Sequence, residues 1–280
     1  MNYDVIVVGK GPAGISCAIY LKRYGYQVLV IAKDGGALEK VSSIENYYGF
    51  THISGKELLM AGEKQAHHLG IEIVEEEVVS IEKLEQFHIT TDNNEYLSQR
   101  VVLACGTARS RFPLLDSFKN VSYCATCDGF FYRNKKVAII GNGTYMMHEL
   151  SVLKQVCKEV IVFTNGQPLN VDIKDTLVIK DKIEKAEGDS SLTGIVTGNE
   201  TVLVDGCFIA IGCASGFTLA KHLGLALEGN FLKVNAQFET NLKGLYACGD
   251  AVGGLLQVSK AVGEGASCAE AISKAIKEHK

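Results

Sequence analysis

Asp4-Val-Ile-Val-Val-Gly9-Lys-Gly-Pro-Ala-Gly14 decides the fold of this chain. A short, continuously apolar run ends in three glycines spaced as in the dinucleotide fingerprint, and a helical pattern through Ile15, Ala18, Ile19 and Leu21 follows. Val28 to Ile31 reads as a second buried strand. Together these make a βαβ unit that opens a doubly wound sheet. Gly9 permits the tight turn, Gly11 lets backbone approach a pyrophosphate, and Gly14 lets the helix pack closely on the strand. The helix N-terminus then turns its partial positive charge towards phosphate. An acidic ribose ligand after the second strand is not obvious; Asp34 in Ala32-Lys33-Asp34 is the available candidate.

The same pattern begins again at Lys136-Val-Ala-Ile-Ile-Gly141, with a helical stretch through Met147, Leu150 and Leu153 and a strand at Val160–Phe163. The expected fold class is therefore α/β, with two Rossmann-like, three-layer (ββα) nucleotide-binding domains. Between the two starts, residues 55–69 form an amphipathic helical pattern and residues 71–104 read as short strands. After about residue 229 the chain returns to the first domain, with Leu245–Asp250 and a helix from about Gly263. This gives residues 1–113 plus 229–280 as one domain and 114–228 as an inserted one, joined by linkers at 111–118 and 225–232.

Bulk properties narrow the class. The chain has 280 residues, 47% hydrophobic and 21% charged, which suits two domains with cores of their own. A net charge of −4, with no basic stripe, argues against nucleic-acid binding. No apolar run reaches the ~18 residues of a membrane span. Met1-Asn-Tyr-Asp-Val leads straight into a strand without the marks of a signal peptide, so a cytoplasmic location is expected.

Seven of the nine cysteines are scattered singly: Cys17, Cys105, Cys157, Cys207, Cys213, Cys248 and Cys268. Only Cys124-Ala-Thr-Cys127 has motif spacing, which suits a catalytic or metal-binding pair. Half a zinc site is the alternative, but no second Cys or His pair stands at suitable spacing, so no metal is expected.

Beyond the first turn, several segments occur in order: Gly35-Gly36-Ala37-Leu38, Ile44-Glu-Asn46-Tyr-Tyr-Gly-Phe50, Ala104-Cys-Gly106-Thr107, Cys124-Ala-Thr-Cys127-Asp128-Gly-Phe-Phe131 and Gly249-Asp250-Ala251. In these the chain resembles the low-molecular-weight thioredoxin reductases, nearly end to end. The resemblance implies a non-covalent FAD, a homodimer, and a CxxC on the second domain that exchanges with thioredoxin. Cys127 is expected to exchange electrons with the flavin, Cys124 to attack the thioredoxin disulfide, and Asp128 to move the proton. Disulfide exchange runs through a thiolate, so an acid/base beside the pair is the chemistry required. For the cofactor, the resemblance implies Gly9, Gly11, Pro12, Ala13 and Gly14, then Gly36, Ala37, Leu38, Asn46, Ala104 and Gly106, and finally Gly249, Asp250, Gln257 and Val258. Asp250 is expected to hold the ribityl chain.

The second turn departs from the family pattern. Gly141-Asn-Gly143-Thr-Tyr145-Met146 places Met146 at the third-glycine position, and no basic residue follows Phe163 before Lys174. A 2′-phosphate there lacks its cationic clamp. The chain thus resembles the pyridine-nucleotide-independent branch, the ferredoxin-dependent flavin thioredoxin reductases. A plant-type ferredoxin near about −400 mV and thioredoxin near about −270 mV leave roughly 6 kcal/mol for two electrons. Arg109, Arg111, Arg133, Lys135 and Lys136 are candidates for docking an acidic ferredoxin. Readings that stay open are an NADPH enzyme with an atypical site, a diflavin enzyme with Tyr145 stacked on a second flavin, and a non-catalytic flavin redox sensor.

Overall fold

The computed structural model describes residues 2–106, 112–198, 200–211 and 216–278. Two compact units divide the chain, residues 1–108 with 215–280, and residues 109–214.

In the first unit, β1 (Asn2–Val8), α1 (Pro12–Arg23) and β2 (Val28–Ile31) realise the opening βαβ pattern. Next come α2 (Gly55–His68), β3 (Glu72–Val74), β4 (Val78–Lys83), β5 (Phe87–Thr91) and β6 (Glu95–Leu103). Ser54 starts α2 with a reciprocal capping box to Glu57, whose carboxylate returns to the Ser54 N–H. The sheet order is β3-β2-β1-β6-β5-β4. Its β3-β2-β1-β6 half is parallel, and β4, β5 and β6 form an antiparallel meander. β1 from Val5 and all of β2 are buried on both faces, which is why Val5–Val8 and Val28–Ile31 are uninterrupted apolar runs.

In the second unit lie β7 (Val121–Ser122), the short α3 (Ala125–Asp128), β8 (Lys136–Ile140), α4 (Thr144–Val156), β9 (Glu159–Phe163) and β10 (Val178–Ile179). An antiparallel sheet of β11 (Ile183–Glu187), β12 (Gly194–Thr197) and β13 (Glu200–Leu203) leads to β14 (Gly206–Ile209). The main sheet, β10-β9-β8-β14-β7, is parallel throughout.

The chain then re-enters the first unit through α5 (Gly216–His222), the hairpin of β15 (Leu227–Glu228) and β16 (Phe231–Leu232), β17 (Leu245–Ala247) and α6 (Val258–Glu278). Two expectations change here. The return falls at residue 215, not 229, because α5 packs on β4 and β16, and β16 packs on the Gly249–Val252 turn. The first crossing likewise falls at 108, not 113. Helix α6 begins at Val258, five residues before the expected Gly263. Gly263, the expected start, lies inside the helix and faces open space, while the nearby Gly265 is a packing glycine. A Cβ on Gly265 would lie 2.2 Å from the Ala13 carbonyl oxygen, so α6 crosses α1 backbone to backbone. Ser16 Oγ donates to the Val262 carbonyl at that crossing, and Cys17 and Cys268 are buried beside it.

Candidate active site

The first glycine turn is built from contacts that exclude side chains. Gly9 has φ +113°, and a Cβ on it would lie 2.4 Å from the Ala104 carbonyl oxygen. A Cβ on Gly14 would lie 1.9 Å from the Gly9 carbonyl oxygen. Gly11, by contrast, faces open space, with Pro12 at the first helical position behind it. Gly9, Gly14 and Ala104 therefore form a closed seat, and Gly11 an open one where an anion can reach the helix N-terminus. Lys10 is buried in the turn and tied to Glu75 at 2.8 Å and Glu63 at 3.1 Å.

Gly249 (φ +74°) joins the seat, since a Cβ there would lie 2.6 Å from Ala13 Cβ. Lys260 donates to the Gly249 carbonyl at 2.9 Å, and Glu264 accepts from the Gly249 N–H at 2.9 Å. Beside them Asp250 keeps a buried Oδ1 with no hydrogen-bond partner among the described residues. Burial raises its pKa, an effect that Lys260 partly offsets. A buried carboxylate oxygen left unpaired is costly, and a polyol hydroxyl is the donor that would satisfy it. The open Gly11 seat and the orphaned Asp250 oxygen together fit FAD.

The remaining expected cofactor residues fall into three places. Asn46 Nδ2 donates to Gln257 Oε1 at 2.9 Å, next to Val258 at the start of α6. Gly36, Ala37 and Leu38 form an exposed 3-10 turn, held where Asp34 Oδ1 accepts from the Gly36 N–H at 2.8 Å. Asp34 is thus committed to its own turn. Gly106 (φ +66°) follows Ala104 at the edge of the seat.

In the second unit, Cys124 and Cys127 form a disulfide, with S–S 2.01 Å. Cys124 is fully buried and Cys127 partly so. The Cys127 N–H donates to Cys124 Sγ at 3.1 Å. Ser122 Oγ accepts from the Cys124 N–H at 3.1 Å and donates to Asp128 Oδ2 at 2.6 Å, so one hydroxyl links the acid to the disulfide segment. Phe130 and Phe131, immediately after, are 65% and 71% exposed.

Two further residues lie under this segment: Glu149, which sequence reasoning misses, and Tyr145, which it sets against a second flavin and which is buried with its hydroxyl on backbone. Glu149 is buried on α4 and accepts from the Ala125 N–H at 2.5 Å. Burial pushes its pKa up to about 7, against the pull of that backbone hydrogen bond. Tyr145, also buried, donates to the Tyr123 carbonyl at 3.1 Å. The available signal for Glu149 is its place in the apolar stripe Met146, Leu150, Leu153, where a carboxylate breaks the pattern.

The second glycine turn has the backbone of the first, and Gly143, like Gly11, faces open space; the difference lies at the third glycine position. A Cβ on Gly141 would lie 2.2 Å from the Ala210 carbonyl oxygen and 2.7 Å from Met146 Cβ. Met146 is fully buried. Asn142 Nδ2 donates to the Pro168 carbonyl at 2.9 Å, and the Asn170 N–H donates to the Asn142 carbonyl at 2.9 Å. The loop after β9 is thereby stitched to the turn. Of the candidate docking cations, Arg109 and Arg111 lie outside the described residues. Lys136 pairs with Glu159 at 3.2 Å, and Arg133 and Lys135 lie over the Phe130 and Tyr132 rings.

The profile of the family described as pyridine nucleotide-disulphide oxidoreductase matches residues 3–265. The thioredoxin reductase of Streptomyces coelicolor is 32% identical, over 95% of this chain and 91% of that protein. That of Ureaplasma parvum is 30% identical, over 94% and 93%. Among solved structures, the atypical thioredoxin reductase TRi from Desulfovibrio vulgaris Hildenborough superposes with a TM-score of 0.88 at 33% identity, covering 98% of both chains. A ferredoxin-flavin thioredoxin reductase from Clostridium acetobutylicum gives 0.74 at 30% identity, covering 99% of both. Fold and sequence agree, and the chain belongs to the thioredoxin reductases, FAD-binding flavin disulfide oxidoreductases.

Proposed function

We propose that this chain carries electrons from reduced ferredoxin, by way of FAD and the Cys124–Cys127 disulfide, to thioredoxin. The observation that carries the donor assignment is the second glycine turn. Met146 fills the position where a dinucleotide needs glycine, Asn142 is bonded across to Pro168 and Asn170, and residues 164–173 hold no Lys or Arg. A nicotinamide dinucleotide phosphate finds there neither the third glycine of the fingerprint nor a cationic clamp. The likeness to the Clostridium acetobutylicum ferredoxin-flavin enzyme supports the same reading.

FAD supplies the two-electron store. In our assignment Gly9, Gly11, Pro12, Ala13 and Gly14 hold its pyrophosphate, and Asp250 its ribityl chain. Gly36, Ala37, Leu38, Asn46, Ala104, Gly106, Gln257 and Val258 line the rest. Reduction of the disulfide takes two electrons and two protons and leaves two thiols, Cys127 receiving the electrons. Asp128, held by Ser122, takes the proton that makes Cys124 a thiolate. Cys124 Sγ attacks one thioredoxin sulfur, forming a mixed disulfide and expelling the other sulfur as a thiolate. Cys127 Sγ then attacks Cys124 Sγ, which restores the disulfide and releases reduced thioredoxin. Because Cys124 is fully buried when oxidised, that attack requires the segment to open first. Phe130 and Phe131 are the apolar surface nearest the pair in sequence for a protein substrate.

The chain acts in the cytoplasm as a homodimer in this reading. Exposed aromatics in the first unit, Tyr20 and Tyr24 with ring centroids 6.4 Å apart and also Tyr48 and Phe50, are suited to contact with a second copy. One observation favours a second reading, an NADPH donor: Gly143 has nothing within 4 Å of where a Cβ would stand, so part of the second turn is still accessible. The test is thioredoxin thiol formation with each donor. Ferredoxin should sustain many turnovers in the wild type and none in Cys127→Ser, although its flavin still reduces. Equal turnover with NADPH alone would establish the second reading.

A further inference from the structure

Dinucleotide folds ordinarily place an acidic side chain after the second strand to hold the adenosine ribose. Here the residues after β2 are Ala32-Lys33-Asp34, and Asp34 is committed to the Gly36 N–H. A different carboxylate reaches this edge. The Ala32 N–H donates to the Val74 carbonyl at 3.1 Å, so the segments leaving β2 and β3 run side by side. Lys33 Nζ meets Glu77 Oε2 at 2.6 Å across them.

Glu77 ends a run of three glutamates with distinct fates. Glu75 pairs with Lys10. Glu76 accepts from Thr91 Oγ1, Asn94 Nδ2 and the Tyr96 hydroxyl. Glu77 is 4% exposed, and its Oε1 has no hydrogen-bond partner among the described residues. Its backbone is fixed from both sides by Asp92, whose Oδ1 accepts from the Glu77 N–H at 2.9 Å and whose N–H donates to the Glu77 carbonyl at 3.0 Å. This is a rigidly held, buried acceptor with one unused oxygen, at the strand edge where a ribose diol is expected. Burial raises the Glu77 pKa, Asp92 and Asp34 add to that, and the Lys33 ammonium pulls the other way.

We infer that Glu77, held by Lys33, accepts a hydrogen bond from the adenosine-ribose hydroxyls of FAD and takes the place of the missing acid after β2. The inference rests on FAD being the cofactor, and the first arm of the test checks that separately: wild-type protein must bind FAD stoichiometrically.

The protein is stripped of flavin and titrated with FAD, and with an FAD analogue whose adenosine ribose lacks both hydroxyls. In the wild type the analogue should bind about tenfold more weakly, the size of one charge-assisted hydrogen bond. In Glu77→Leu, FAD itself should weaken about tenfold and the analogue should lose nothing further. The double variant Lys33→Met/Glu77→Leu, which leaves no cation beside the new side chain, should match it if the single variant folds poorly. FMN, which has no adenosine half, should bind all forms alike. Wild type that binds the analogue as tightly as FAD overturns the inference, as does a deoxy penalty that persists without Glu77 or an equal loss of FMN binding.

Discussion

The two glycine turns share a backbone and differ in what stands on it. In the first, the Gly9 N–H donates to Ile31, the Ala104 N–H to Val8 and the Ala32 N–H to Val74. In the second, Gly141 donates to Phe163, Ala210 to Ile140 and Thr164 to Ile179, at distances between 2.7 and 3.0 Å. The frames correspond bond for bond. The first keeps Gly14 where its helix touches the turn and leaves Gly11 open. The second puts Met146 in that position, Tyr145 before it, and stitches Asn142 to the loop beyond β9. Backbone hydrogen bonds preserve the fold in both turns, while the side chains at the helix start differ between them. In this chain the second helix also turns two side chains to the disulfide segment. Tyr145 and Glu149 both support the disulfide segment, through the Tyr123 carbonyl and the Ala125 N–H.

The strongest way to break the comparison is to copy the second turn into the first. Gly14→Met sets a Cβ 1.9 Å from the Gly9 carbonyl oxygen. It should cost more than about 3 kcal/mol and yield protein without flavin colour. A yellow, stable Gly14→Met variant would mean that Met146 does not explain the state of the second turn.

Next in size is Glu149, whose burial raises its pKa from 4.5 to about 7. The native state then holds a proton the unfolded chain has lost, so stability is greatest at low pH and falls as pH rises from 4.5 towards 7. At about 1.4 kcal/mol per pH unit the loss reaches about 3 kcal/mol. Glu149→Gln keeps the acceptor for Ala125 and removes this slope. Urea denaturation should find it similar to wild type at pH 4.5 and more stable above pH 7. The same difference at both pH values would show that Glu149 does not titrate in this window.

The smallest effect sharpens the role of the second helix. Tyr145→Phe removes one hydrogen bond to the disulfide segment and should cost about 1 kcal/mol in denaturant unfolding. No loss would mean that Tyr145 only fills space.

Legibility followed sequence distance. Both strand–turn–helix units and the Cys124/Cys127 pair could be read because each is local, its residues lying within about one turn of each other. Residues whose role depends on remote partners could not. Asp34 was the visible candidate after β2, but Glu77 reaches the same edge from 44 residues away, because β3 lies beside β2. Ser122 and Glu149 gain meaning only once β7 and α4 are folded beside the disulfide. Gly263 suggested a helix boundary, whereas the helix runs through it and Gly265 serves a crossing with a helix some 250 residues earlier. Local pattern gave the return to the first unit at 229, and the packing of α5 on β4 moved it to 215.

The donor is the claim on which the account turns. The oxidised protein, held anaerobically, is mixed in turn with excess NADPH and with reduced ferredoxin while flavin absorbance is followed. Rapid bleaching with ferredoxin and none with NADPH is the result predicted from Met146 at the third glycine position and the missing cations. Rapid bleaching with NADPH would contradict it and show that a nicotinamide reaches the flavin despite Met146 and the missing cations.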